Sequence, residues 1–193
     1  MDRNNIQQRC LGSQFKTRDD GDNGLYIEGY FAVFNSRYDM WEHGHETIAP
    51  GAFSQTLDGD IRALIDHESR LVLGRTTAGT LELKEDDKGL WGRIQINPND
   101  TDAMNLYERV KRGDVSQCSF GFEILEEETD FVGEDIFWTL KKVRLHEVSV
   151  CTFPAYEETS VDARKKDYEA AMQRKNEAWK ADMLKKLKGE QNA

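Results

Sequence analysis

The sequence predicts an α+β fold in which one domain is built on about seven strands, mainly antiparallel, together with helices. Three observations predict it. A chain of 193 residues is long enough for one domain with a hydrophobic core. Short runs rich in β-branched and aromatic residues recur along the chain between turn-forming residues. Other stretches place apolar residues three or four positions apart, as on one face of a helix.

The strand segments begin at Leu25, and the first contains Gly29, which marks a bulge or a close approach of another backbone. The stretch from Asp86 to Gly89 is a turn between two segments, so this part has the pattern of a hairpin. Between strands we expect an exposed loop at 35–49 and an acidic linker at 126–135. The predicted strands are 25–34, 61–66, 71–83, 90–96, 116–125, 136–143 and 145–153.

Helices are predicted in three places. Because proline is favourable at the first helical position, we expect Pro50 to begin a short helix that ends at Leu57. Asn99, Asp100 and Thr101 supply capping oxygens for a second helix, which ends at Gly113. The stretch 162–188 lacks Gly and Pro and has the pattern of an amphipathic helix with a narrow apolar stripe. The stripe is consistent with packing on its own domain or with docking to a partner, and consists of Tyr168, Met172, Trp179, Met183 and Leu187.

These patterns divide the chain into three parts. Residues 1–23 are polar and lack a sustained period, so we expect a flexible N-terminal segment. Residues 24–161 form the main domain, and residues 162–193 form a helical tail.

Composition excludes several classes of protein. A formal net charge of -10 argues against nonspecific binding of nucleic acid, because phosphates would be repelled. The sequence lacks both the apolar run of about 18 residues that a membrane span needs and the pattern of a secretory signal, so we expect a cytoplasmic protein. The three cysteines lack metal-ligand spacing and are interpreted as reduced thiols, with Cys118 and Cys151 buried in strands.

His67 is the first residue that could carry chemistry. It lies where an apolar strand ends, beside polar neighbours, and an imidazole there could act as a base near neutral pH. The alternative is an ordinary surface histidine.

Ser119 lies in a strand in which Phe120 and Phe122 alternate with Ser119 and Gly121. Alternation places the serine and the glycine on the face opposite the phenylalanines. A small residue beside a hydroxyl leaves room for a substrate backbone close to a nucleophile. The alternative is a solvent-facing strand serine.

Glu147 projects from an apolar strand and shares one face with Ser149 and Cys151. A buried carboxylate needs a partner, and a histidine ring nitrogen would satisfy it. A salt bridge remains the alternative, with candidate partners Lys141, Lys142 and Arg144.

His43 and His45 would share one face of a strand, but two histidines without a placed carboxylate are a weak set of metal ligands. We therefore predict neither a metal nor another cofactor.

Taken together, these segments resemble the prohead proteases of tailed bacteriophages, which are relatives of the herpesvirus assemblin. The resemblance covers about residues 29–154. It rests on GYFAVFN at 29–35, PGAF at 50–53, DH at 66–67 with LGR at 73–75, SFGF at 119–122, and EVSV at 147–150 with FPA at 153–155.

The resemblance implies a β-barrel-like core wrapped by helices, with Ser119 as nucleophile, His67 as general base and Glu147 as the third catalytic residue. Ser116 competes with Ser119 for the first role. His146 competes with Glu147 for the third, but adjacent strand residues point to opposite faces, so one of them reaches His67.

The implied activity is that of a serine endopeptidase, which acts inside the immature virus head in the host bacterial cytoplasm. Its implied substrates and partners are the scaffold segment of the major capsid protein and the protease itself, and a homodimer is possible. The alternative is a noncatalytic scaffold or assembly protein that docks through the tail helix.

Overall fold

The computed structural model describes residues 6–12, 15–21, 24–153 and 158–190, and these form an α+β fold, as predicted. Two α-helices, α1 (Thr101–Arg112) and α2 (Glu158–Glu190), and a short 3-10 helix (Thr76–Ala78) occur in these ranges. The strands there are β1 (Gln7–Gly12), β2 (Lys16–Asp19), β3 (Leu25–Val33), β4 (Tyr38–Trp41), β5 (Gly44–Ile48), β6 (Arg62–Ile65), β7 (Glu68–Arg75), β8 (Leu81–Glu85), β9 (Gly89–Ile96), β10 (Gln117–Val132) and β11 (Asp135–Cys151).

A seven-stranded sheet is built around the long antiparallel hairpin of β10 and β11. Its strand order is β1-β10-β11-β5-β4. The β6–β7 hairpin joins the same sheet because β6 pairs in parallel with the end of β11, beyond β5. Strands β10, β11 and β6 therefore lie side by side.

The second sheet has the order β2-β3-β9-β8 and is antiparallel throughout. Neither sheet closes on itself, so the barrel-like part of the prediction is not confirmed. The described residues also contain eleven strands rather than about seven. Among the additional strands, β1 pairs with β10 and β5 with β11, and partners so distant in sequence are not revealed by a local pattern.

The core takes residues from both sheets and from α1. Phe120 lies at its centre, with its ring centroid 5.6 Å from that of Phe53 and 4.9 Å from that of Phe122. Cys118 and Cys151 are buried in strands, as predicted.

Helix α1 follows its prediction. The Asp100 side chain accepts hydrogen bonds from the backbone N–H groups of Asp102 and Ala103, and Gly113 ends the helix in the left-handed conformation. Its buried face packs into the core through Ala103, Leu106, Tyr107 and Val110.

Three local predictions were wrong. Residues 50–58 form successive turns instead of a helix, with i+3 to i backbone hydrogen bonds such as Ala52 N–H to Ala49 O. The expected loop 35–49 contains β4 and β5, because β5 finds its partner in β11. The expected strand 71–83 is interrupted by the 3-10 helix before β8.

The predicted acidic linker is in fact the distal part of the β10–β11 hairpin. Its acidic side chains on β10 face basic side chains on β11, with Lys142 Nζ 2.5 Å from Glu126 Oε2 and Lys141 Nζ 2.8 Å from Glu128 Oε2. Opposite charges across an antiparallel pair stabilise its register.

Both terminal segments differ from expectation. The predicted flexible segment 1–23 contains β1 and β2, which pair with β10 and β3. Helix α2 is longer than predicted. The helix contacts the domain through residues such as Tyr168, whose hydroxyl donates to Glu134 O at 2.9 Å. Residues 173–186 are exposed.

No helix in the described ranges has both the length and the apolar character needed to cross a membrane.

Candidate active site

Strand pairing brings the three predicted segments together. In the β10–β11 ladder, Ser119 lies opposite Ser149 and Gly121 lies opposite Glu147. On the other side of β11, Ser149 pairs with Leu64 in β6, the strand that leads to His67. Residues directly opposite in a ladder point to the same face of the sheet. Ser119 and Glu147 therefore lie on one face, at the end of β11 where His67 follows β6.

His67 and Glu147 are in direct contact. The distance from His67 Nδ1 to Glu147 Oε1 is 2.7 Å, and each side chain is 12% exposed. Charge-assisted hydrogen bonds of this length are strong, and shielding from water strengthens them. The contact orients the ring and fixes which of its nitrogens faces the carboxylate.

Ser119 is wholly buried, so the surface-serine alternative was wrong. Its Oγ has no hydrogen-bond partner among the residues that the structure describes. A buried hydroxyl without a hydrogen-bond partner costs free energy relative to one in water, so such groups are rare in native structures.

The turn that carries His67 has an uncommon backbone. Asp66 and His67 both have positive φ, +47° and +62°, in the two-residue turn between β6 and β7. Such turns require positive φ at both central positions and favour Asn-Gly or Asp-Gly. The Asp66 carboxylate holds the turn to the end of β11, accepting from Thr152 N at 2.7 Å. A side chain at the second position in place of glycine costs conformational energy, which favours a functional role for His67.

The competing partners of Glu147 are engaged elsewhere. Lys141 and Lys142 pair with the hairpin carboxylates described above, and Arg144 Nη1 is 2.7 Å from Glu123 Oε2. His146 Nε2 lies 3.1 Å from Glu123 Oε1, as expected for a side chain on the face opposite Glu147.

Ser116, the alternative to Ser119, is exposed and precedes β10. It therefore lies outside the ladder that aligns Ser119 with Ser149 and Gly121 with Glu147.

The model of the family described as caudovirus prohead serine protease matches residues 13–174. The chain belongs to this family. That match contains all three predicted site residues and the whole β10–β11 hairpin.

The chain is also similar to a protein named prohead protease from Enterobacteria phage HK97. The two are 32% identical over 158 residues, which are 79% of this chain and 65% of that protein. The chain thus spans somewhat less than two thirds of the length of this relative.

Among solved structures, the bacteriophage T4 capsid assembly protease has a similar fold, with a TM-score of 0.51 at 10% sequence identity. The match covers 76% of this chain and 97% of the T4 chain. At this identity the likeness concerns the fold alone.

Two residues in the site of this prohead protease family member make contacts that were not predicted from the sequence. Ser149 was placed on the face of Glu147 without a function, although the period of two already brought them together. Gly121 was interpreted as room for substrate, but its missing side chain makes room for the Glu147 carboxylate. A Cβ at position 121 would lie 2.5 Å from Glu147 Oε1.

His43 and His45 bind separate carboxylates. His43 Nδ1 is 2.8 Å from Asp135 Oδ1, and His45 Nδ1 is 2.6 Å from Asp39 Oδ1. The hydrogen bond to Asp135 raises the pKa of His43 above its usual value. In the described part of the chain, no group of three or more His, Cys, Asp or Glu is placed to hold a metal ion.

Proposed function

We propose that this chain is a serine endopeptidase in which Ser119, His67 and Glu147 act together. The observation that carries the proposal is the 2.7 Å contact between His67 Nδ1 and Glu147 on the face of the sheet that also bears Ser119. Membership of a prohead serine protease family supports the same reaction class.

In the proposed mechanism, Ser119 Oγ attacks a peptide carbonyl while Nε2 of His67 takes the hydroxyl proton. The same imidazole then gives that proton to the leaving amine, and water hydrolyses the acyl-enzyme in the second half of the reaction. Glu147 accepts the hydrogen bond of the other ring nitrogen, holds the ring with its Nε2 directed to the reaction and stabilises the imidazolium that forms.

Substrate binding has to open the site. Ser119 is wholly buried in the isolated chain, so a peptide or a serine-directed probe reaches its Oγ only after neighbouring residues have moved. Such movement on substrate binding is common in enzymes and protects the nucleophile beforehand.

The substrates that we propose are the scaffold segment of the major capsid protein and the protease itself, cleaved inside the immature head in the host bacterium. The names of the similar proteins support this proposal: prohead protease in phage HK97 and capsid assembly protease in phage T4. Homodimer formation is a further expectation from the family resemblance.

A fluorophosphonate probe tests the catalytic assignment, because it reacts with an activated serine. We expect one label per chain, on Ser119, in the wild-type protein. Labelling should fall by at least about 1,000-fold in His67→Ala, in which no base activates the hydroxyl. Tandem mass spectrometry identifies the labelled residue, and a label that persists in His67→Ala would refute the assignment.

The second candidate is a noncatalytic assembly protein that docks through α2. The exposed apolar side chains of Trp179, Met183 and Leu184, at 61%, 40% and 56%, favour it. Under that function the same probe would leave Ser119 unlabelled, including in assembled particles.

A further inference from the structure

Ser149 makes two contacts within the candidate site. Its Oγ donates a hydrogen bond to Glu147 Oε2 at 2.6 Å and accepts one from the backbone N–H of His67 at 3.3 Å. Its side chain is wholly buried. From these contacts, and resting on the function proposed above, we propose that Ser149 is a positioning residue that fixes Glu147 and His67 relative to each other.

The carboxylate of Glu147 is held at both oxygens. Oε1 faces the imidazole of His67, and Oε2 accepts a hydrogen bond from the Ser149 hydroxyl. A carboxylate with one donor can turn about its last bond, whereas a second donor on the other oxygen restrains that rotation. Ser149 therefore fixes the plane in which Glu147 meets the ring.

The second contact fixes the backbone that carries the ring. A hydroxyl has one proton to donate and lone pairs to accept with, and Ser149 uses both capacities. Its acceptor side engages His67 N–H in the turn with positive φ. One hydroxyl thus connects the main chain of the base to the side chain of its carboxylate partner.

The same contacts argue against Ser149 as the nucleophile. Its hydroxyl donates its hydrogen bond to Glu147. Its hydrogen bond with His67 is made to the backbone N–H and not to the ring. Ser119, directly opposite in the ladder, has no such bond within the described residues.

The test measures the rate at which a fluorophosphonate labels Ser119 over a range of probe concentrations. In Ser149→Ala we expect the maximal rate to fall about 10- to 100-fold, the loss that follows removal of a hydrogen bond to a charged group. The half-saturating probe concentration and the final label of one per chain should stay as in wild type. A merely structural role would lower the labelled fraction without changing the rate of the folded molecules.

Two further variants make the test specific. Ser149→Thr keeps the hydroxyl and should recover most of the rate. Thr139→Val is the matched control, because it removes a hydroxyl from the same strand where that hydroxyl faces Thr47 Oγ1 at 3.3 Å, and it should label at the wild-type rate. If Ser149→Ala does not fold, Ser149→Cys, which keeps the shape with a weaker donor, should show the slowed labelling.

Wild-type labelling rates in Ser149→Ala, or in Ser149→Cys in its place, would overturn the proposal, as would equal slowing in Thr139→Val. A wild-type protein without label on Ser119 would instead overturn the proposed function on which this inference rests.

Discussion

Gly121 shows how a single missing side chain shapes the site. It lies opposite Glu147 in the ladder, and the carboxylate occupies the space that a side chain at 121 would fill. The atom that would be met is the far end of a flexible side chain, so a methyl group there would displace the carboxylate at little cost to the fold. Position 121 thus controls the geometry around Glu147 more than the stability of the sheet.

Gly121→Ala should therefore separate activity from stability. We expect Ser119 to be labelled about 100-fold more slowly, because a displacement of the order of 1 Å in a catalytic group costs about that much. The midpoint of thermal unfolding should change by only a few degrees, corresponding to about 1 kcal/mol. A wild-type labelling rate would show that the position of Glu147 does not limit the reaction.

The residues of the site were more predictable than their contacts. The period of two placed Glu147 and Ser149 on one face, and it separated Glu147 from His146, as the structure shows. The contact of His67 with Glu147 spans 80 residues of sequence. Its prediction therefore depended on the family resemblance and on the expectation that a buried carboxylate has a partner. The positive φ of the turn had no clear signal, because histidine replaces the glycine that such turns favour.

At the scale of elements, a buried ionic cluster around Glu46 connects four of them. Glu46 in β5 is 2% exposed and forms two salt bridges. Its Oε1 lies 2.5 Å from Nε of Arg9 in β1, and its Oε2 lies 3.0 Å from Nη2 of Arg164 in α2. Arg164 also lies 2.8 Å from Glu127 in β10. The N-terminal strand and the C-terminal helix are thus anchored on the same group.

Glu46→Gln should destabilise the protein strongly. Removing one charge from a buried cluster leaves the others uncompensated, so the free energy of unfolding at pH 7 should fall by about 3 to 5 kcal/mol. Urea denaturation measures it. The control is Glu126→Gln, which removes an exposed partner of Lys142 and should cost less than about 1 kcal/mol.

The stability lost in Glu46→Gln should depend on pH. Burial alone would raise the pKa of Glu46, but the charges and hydrogen bonds of Arg9 and Arg164 outweigh it, and the pKa lies below its ordinary value of 4.5. A lowered pKa in the folded state means that the stabilisation is complete above pH 4.5 and is lost as the pH falls further. The difference in the free energy of unfolding between wild type and Glu46→Gln should shrink below that pH. If Glu46→Gln and the control Glu126→Gln lost equal stability, Glu46 would not anchor the two terminal elements.

The elements themselves were predicted where their signals are local. Helix α1 has its cap, its apolar spacing and its terminal glycine within one short stretch. Strands β4 and β5 were missed because β5 pairs with β11, about 90 residues away, and β4 pairs in turn with β5. The acidic part of the hairpin was interpreted as a linker because a run of like charges is typical of a solvent-exposed segment. The lysines that pair with these carboxylates lie on the opposite strand.

At the scale of the whole molecule, two open sheets share one core, and the long β10–β11 hairpin carries two of the three catalytic candidates. The third, His67, is delivered by the β6–β7 hairpin at the end of β11. An α+β fold was expected from the sequence, but closure into a barrel depends on which strands meet at the edges, and that information is not local. The tail helix extends beyond its contacts with the domain, so its exposed part is available to other molecules.

We propose above all that this chain cleaves a capsid precursor with Ser119. The most direct measurement is the intact mass of the major capsid protein after co-expression with wild-type protein and with Ser119→Ala. Loss of one hydroxyl oxygen from a buried site should leave the fold unchanged, so the variant should be soluble and inactive. We expect the scaffold segment to be removed in the presence of wild type and retained with Ser119→Ala, whereas removal of the segment by the variant would contradict the account.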